Sequence, residues 1–297
     1  MKVPRSHRYG KPNLEQFYKA SLRNLQNIAK SSALNSLGAM SAVEILGLIF
    51  SGMAAGAINA VAGGGTLVTF PTLLAFGTPA IVANATSTLA LVFGTAGGVF
   101  GYRRHLASIK PWLWRFVPVS LVGGGFGSWL LTCTDEKTFS RLVPFLILFA
   151  TIIFLAQGAF RKFAGLDARG EIHARHHAIT GAIFFQLGVA IYGGYFGAGI
   201  GILMLASLGF IGLTNIHEMN VLKTVLSSLI NLVAAVWFAC AGLIHWPKAG
   251  VMTAGAVAGY FIGSHYAQRI PQARVRQIIT VIGFVISAWA FYKEFVK

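Results

Sequence analysis

The sequence predicts an all-α integral membrane protein made of two inverted-topology repeats, each of about five hydrophobic helical segments, with glycine-lined helix breaks near the midplane. Three observations predict it. Of the 297 residues, 55% are hydrophobic and only 11% charged, with a mean hydropathy of +0.67, whereas soluble domains carry about 25% charged residues. Ten apolar runs follow one another, near 41–62, 64–78, 80–102, 112–132, 139–160, 178–198, 199–213, 219–244, 247–267 and 275–292, most of them close to the ~20 residues a spanning helix needs. The chain also matches itself when residue i is laid over residue i+136. Ala62, Gly63, Gly65 and Leu67 fall on Ala198, Gly199, Gly201 and Leu203; Thr78, Asn84 and Thr88 fall on Thr214, Asn220 and Thr224; Gly123, Gly127 and Ser128 fall on Gly259, Gly263 and Ser264.

In chain order, residues 1–40 form a basic tail with Lys2, Arg5, Arg8, Lys11, Lys19, Arg23 and Lys30. Its stretch 12–30 reads either as an interfacial amphipathic helix or as a disordered tail. The run that follows lacks a small-residue cleavage site, which argues against a signal peptide. Residues 41–160 make the first transmembrane repeat and 178–297 the second. Within each, one segment is short: 64–78 and 199–213 hold 15 residues apiece, about 22 Å of helix at 1.5 Å per residue. Each is either a tilted minimal span or half of a re-entrant hairpin. Both follow a glycine cluster, and glycine in a helix interior costs roughly 1 kcal/mol relative to alanine, so the clusters mark helix ends. Five crossings, or a hairpin plus three spans, are odd in number, so the second repeat runs upside down relative to the first, as in many secondary transporters.

The linker 161–177 is the longest polar stretch after the tail. His173, His176 and His177 crowd together there, but with no partner cysteines and no metal-binding helical His pair, so a solvated loop is expected and no metal. Cys133 and Cys240 form no redox or metal spacing. The net charge of +16 resides in the tail and in the loops between apolar runs, which suits topology and anionic lipid rather than nucleic acid. Arg103, Arg104, Lys110 and Arg115 in 103–115, the linker, and Arg269, Arg274 and Arg276 in 268–276 place three short loops in the cytoplasm and the termini outside it. The basic tail argues the other way. Trp112, Trp129, Trp246 and Trp289 lie near run ends, as interfacial aromatics do.

The candidate site starts at Gly63, Gly64 and Gly65. A helix beginning after them leaves its first N–H groups unpaired at the positive end of the macrodipole, an arrangement that receives anions, and Thr66 adds a hydroxyl. Gly199 and Gly201 repeat the device, which inversion would aim at the midplane. Glycines also serve close helix packing, so they do not decide the matter alone. Behind them, Asn220, Lys223, Thr224, Ser227 and Asn231 recur at helical spacing on one face, matched in the first half by Asn84, Ser87, Thr88 and Thr95. Polar residues at this depth either bond neighbouring helices or line a path, and Lys223 is the costliest of them unless it snorkels to the headgroups. Glu44 and Glu218 are the carboxylates near apolar segments that could relay protons.

The strings "NAVAGGGTLVTFPTLLAFGTPAIVANATSTLALVFGTAGGVFGYRR", "GGYFGAGIGILML" and "AGLIHWPKAGVMTAGAVAGYFIGSHYAQRI" resemble the sulfite exporter TauE/SafE family over roughly residues 43–293. The second half departs from the first: Ile200 replaces the middle glycine, and Lys223 stands where Ser87 stands. The resemblance implies transport, usually export, of sulfite or other small sulfur-containing or organic anions across a bacterial inner membrane. Neither an enzyme nor a cofactor is expected. "AGGGTL" lacks the Lys-Ser/Thr of a phosphate loop, and "GAGIG" at 197–201 lacks strand–turn–helix context. The competing readings are a passive anion channel and an intramembrane hydrolase using Ser128 with His265 or His245, although no G-x-S-x-G pattern surrounds that serine. The expected partners are a small anion and the bilayer; a homo-oligomer stays open.

Overall fold

The computed structural model describes residues 23, 26–27, 40–61, 63–101, 106–163, 176–210, 216–266 and 272–295. Most of the basic tail, Arg103, Arg104, Ala62, the linker centre with His173, Thr214 and Arg269 lie outside them. The described chain is helical: α1 Ala42–Val61, α2 Thr66–Ala75, α3 Ala80–Gly101, α4 Leu106–Cys133, α5 Glu136–Phe163, α6 His176–Tyr195, α7 Ile200–Phe210, α8 Ile216–Cys240, α9 Trp246–Tyr266 and α10 Gln272–Phe295. Each expected apolar run overlaps one of them, and six of the helices begin before their run. The short segments prove shorter than their apolar runs, 10 residues in α2 and 11 in α7. A backbone in hydrocarbon must bond within its own segment, which is why apolar runs translate so directly into helices. Ala42–Ala60, Ile109–Cys133, Glu218–Cys240 and Gln277–Phe295 are long and apolar enough to cross a membrane.

The packing follows a two-fold exchange of the halves. Helix α1 packs on α9, and its counterpart α6 packs on α4; α3 packs on α9, and α8 on α4; α3 meets α8, and α5 meets α10. Under the 136-residue offset these pairings map onto one another, and the first residues of α3 and α5, Ala80 and Glu136, fall on Ile216 and Gln272, the first residues of α8 and α10. Close approach at the α1–α9 contact depends on glycine. A methyl group at Gly52 or Gly56 would overlap the carbonyls of Met252 or Ala256, and one at Gly255 or Gly259 those of Ile49 or Met53. The α4–α6 contact repeats this with Gly127 against Ile191 and Gly194 against Gly124. Small residues four apart let backbones meet where no aqueous hydrophobic effect drives association. Gly259→Ala should therefore cost about 1–3 kcal/mol by overpacking, read as a lowered thermal midpoint in detergent.

Outward faces carry Phe50, Val122, Phe126, Phe149, Phe184, Val236, Phe261 and Val285, all exposed. Such a surface suits hydrocarbon rather than water. Inside, Phe70 of α2 meets Phe196, just after α6, edge to face at 5.3 Å, so the two short-helix regions share one core cluster. Polar devices fix the ends. Glu136 accepts the N–H groups of Ala80 and Ile81 and so caps α3 with a carboxylate from α5. Lys248 of α9 pairs with Glu44 of α1 at 2.7 Å and donates to Phe76 O at 3.1 Å and Thr78 Oγ1 at 3.0 Å. One ammonium thus ties α1, the α2–α3 turn and α9 together. At the α4–α5 turn, Asp135 accepts from the Thr138 N–H at 2.8 Å and hydroxyl at 2.7 Å. Those bonds hold its carboxyl below the usual range. The cap is fully present above the ordinary carboxylate pKa and fades as pH falls through the lowered value.

Candidate functional site

Between α1 and α2 the chain turns through Gly63 (φ 76°) and Gly64 (φ 115°), and between α6 and α7 through Gly197 (φ 80°) and Gly199 (φ 78°). These are left-handed conformations that a side chain would strain, so the glycines are required by the turns themselves. The turns come close to one another: a Cβ on Gly63 would lie 3.9 Å from the Gly201 Cα. Between them lies a small, partly open cavity walled by both halves.

The cavity gathers part of the expected site. Gly63, Gly64 and Thr66 line it from the first turn, Thr95 from α3, Gly201 from α7, and Lys223, Thr224, Ser227 and Asn231 from α8. The rest of the expected set stands elsewhere. Gly65 is a packing position, where a Cβ would come within 2.6 Å of Ala55 O. Asn84 donates to Tyr195 O at 3.0 Å, Ser87 shares a hydrogen bond with Thr69 at 2.6 Å, and Thr88 donates to Asn84 O at 2.8 Å. Gly199 and Asn220 are not among the lining residues. The α3 stripe departs from expectation because Asn84 and Ser87 bond across helix contacts and Thr88 bonds back onto its own helix. Only the Thr95 end reaches open space.

Two features of the polar wall differ from the expected anion-binding helix end. The amides of Gly64 and Gly65 already donate to Asn59 Oδ1, each at 2.8 Å. The side chain of α1 thus occupies donors that an incoming anion was expected to find free. Three of the hydroxyls are also spent: Thr95 donates to Leu91 O at 3.0 Å, Thr224 to Asn220 O at 2.7 Å and Ser227 to Lys223 O at 2.7 Å. Such bonds to the preceding turn satisfy the hydroxyl proton and leave oxygen lone pairs for a ligand. The side-chain nitrogen groups on the wall are those of Asn59, Lys223 and Asn231. The Lys223 stem lies against Gly201, whose Cβ position is 3.3 Å from Lys223 Cδ, and the lysine is 8% exposed. Among the described residues no carboxylate pairs with Lys223, and none lines the cavity.

Asn59, Leu91, Gly197, Ile200 and Tyr260 also line the space and were not among the site residues expected from the sequence. For Asn59 a signal existed, since an amide inside an apolar run four residues before a glycine cluster is costly unless it bonds something. Ser128 donates to Gly124 O at 2.6 Å on its own helix, while His245 is buried just before α9 and His265 lies exposed in the last turn of α9.

A model of the family described as sulfite exporter TauE/SafE matches residues 48–290. A "Probable membrane transporter protein" of Haemophilus influenzae is 27% identical over 255 residues, 85% of this chain and 96% of that protein. The "Probable membrane transporter protein YfcA" of Escherichia coli K12 is 26% identical over 262 residues, 87% and 93% of the two chains, and the "Probable membrane transporter protein ORF9" of a Sinorhizobium species is 25% identical over 256 residues, 83% and 92%. No solved structure matches the chain.

Proposed function

Because the chain belongs to the sulfite exporter TauE/SafE family, we propose that this integral membrane protein is a secondary transporter that moves a small anion by alternating access. The observation that carries the reading is Lys223, a buried ammonium without a carboxylate partner on the wall of a cavity shared by both halves. A buried charge without a partner costs several kcal/mol. An anion that neutralises it during the transport cycle gives that cost a purpose. Inverted repeats supply the motion: the exchange-symmetric packing of the helices supports two halves that swap roles about a central cavity. Sulfite, a sulfonate or a small organic acid is of the right size and charge, and export from the cytoplasm across a bacterial inner membrane, with the termini outside the cytoplasm, follows the same reading.

Proteoliposomes holding the purified protein test it. Labelled sulfite flux should saturate and should be competed by at least one of sulfate, sulfoacetate, lactate and taurine. Flux that rises linearly without saturation would make the protein a channel. Chemical change of a substrate in detergent, without flux, would make it an enzyme.

A further inference from the structure

We infer that Asn59 is an anion-selecting residue of the cavity, its amide held in one orientation so that only N–H groups face the ligand. The inference rests on the anion-transport reading and adds a specificity determinant to it. A side-chain amide has one acceptor oxygen and two N–H donors and can ordinarily present either end. Here the choice is removed. Oδ1 accepts two backbone N–H groups at 2.8 Å, those of Gly64 and Gly65, and turning the amide over would put NH2 against N–H. Asn59 lines the cavity, and among the described residues Nδ2 has no hydrogen-bond partner.

The neighbourhood makes that donor matter. Thr95, Thr224 and Ser227 spend their hydroxyl protons on their own helices, so they turn lone pairs to the same space. An oxyanion needs donors, and the side-chain nitrogen groups on the wall come from opposite halves of the protein, Asn59 on α1 facing Lys223 and Asn231 on α8. An anion held by both bridges the surfaces that alternating access must bring together and part. A cationic solute is repelled by Lys223, and a neutral one accepts a hydrogen bond without neutralising the ammonium.

Asn59→Asp separates the two jobs of the side chain. The carboxylate keeps an oxygen for the Gly64 and Gly65 amides and can strengthen those bonds, while it places an anionic oxygen where Nδ2 stood. Sulfite and methanesulfonate binding to the purified full-length protein, measured by calorimetry beside the thermal midpoint, reads both effects. The expected result is a midpoint within a few degrees of wild type and an affinity for both anions at least tenfold weaker. Unchanged affinity in a folded Asn59→Asp protein overturns the inference and leaves Asn59 as a turn-holding residue. Should Asn59→Asp fail to fold, the job assigned to Oδ1 is overturned, and Asn59→Ala decides the rest: in a folded Asn59→Ala protein, anion affinity equal to wild type also overturns the role of Nδ2. If the wild type binds neither of these anions nor lactate, the anion-transport reading itself falls, a result distinct from a selective loss in the variants.

Discussion

Replacing Lys223 with methionine should weaken anion binding at least tenfold while leaving the empty protein as stable as wild type or more so. Two separate costs set the signs. A unit charge about 4 Å from an anion is worth about 4 kcal/mol at an effective dielectric near 20. Desolvating both partners offsets part of this, and a tenfold loss needs only about 1.4 kcal/mol to survive. Lys223 is 8% exposed as a residue with no carboxylate among the described residues to neutralise it, so methionine removes a desolvation cost and fills the same volume beside Gly201. Lys223→Arg should recover part of the affinity if a guanidinium fits. Calorimetry and the thermal midpoint on both variants check the pair of signs. Unaltered anion binding in Lys223→Met would make Lys223 a snorkelling residue and move recognition onto Asn59 and the helix ends.

That prediction was visible in the sequence because Lys223 breaks a pattern. Position for position, Asn84 and Thr88 find Asn220 and Thr224 at the offset, but Ser87 finds a lysine. The helices were visible for a simpler reason: backbone groups in hydrocarbon must be satisfied internally, so each apolar run becomes a helix, and glycine clusters that need positive φ become its ends. Much of the wall was not visible. Ser87 and Asn84 share a face with Thr95 and carry the same polar signal, yet they bond Thr69 and Tyr195 across helix contacts that no periodicity reveals. Asn59 was hidden by the repeat itself, because its matched position is Tyr195, which bonds Thr134 instead. Tyr260 was hidden likewise, since its counterpart is Gly124, buried against Ile230. A repeat points to what the halves share, whereas a site that binds one asymmetric ligand draws on what they do not.

Lys248 presents the opposite case, and its removal should have the opposite effect on stability. It is as deeply buried as Lys223, but it is fully employed, with the Glu44 carboxylate at 2.7 Å and the Phe76 carbonyl and Thr78 hydroxyl at 3.1 and 3.0 Å. Breaking a buried pair from one side strands the other charge and costs about 3–5 kcal/mol. Here the side chain of Glu44 is 17% exposed and water can reach part of its charge, so Lys248→Met should cost less than that range, about 2–3 kcal/mol. Pairing Lys248→Met with Glu44→Gln should return a large share, because the stranded carboxylate goes with it and the coupling of the two sites appears as non-additivity. Thermal midpoints of the wild type, both single variants and the double variant in one detergent give the cycle. Additive losses would mean that the clasp holds nothing and that each residue is solvated separately. A strong coupling would mean that α1, the α2–α3 turn and α9 are held by one ammonium. Asn59, Thr66 and Tyr260, which reach the cavity from α1, α2 and α9, would then owe their relative placement to a lysine that never touches the ligand.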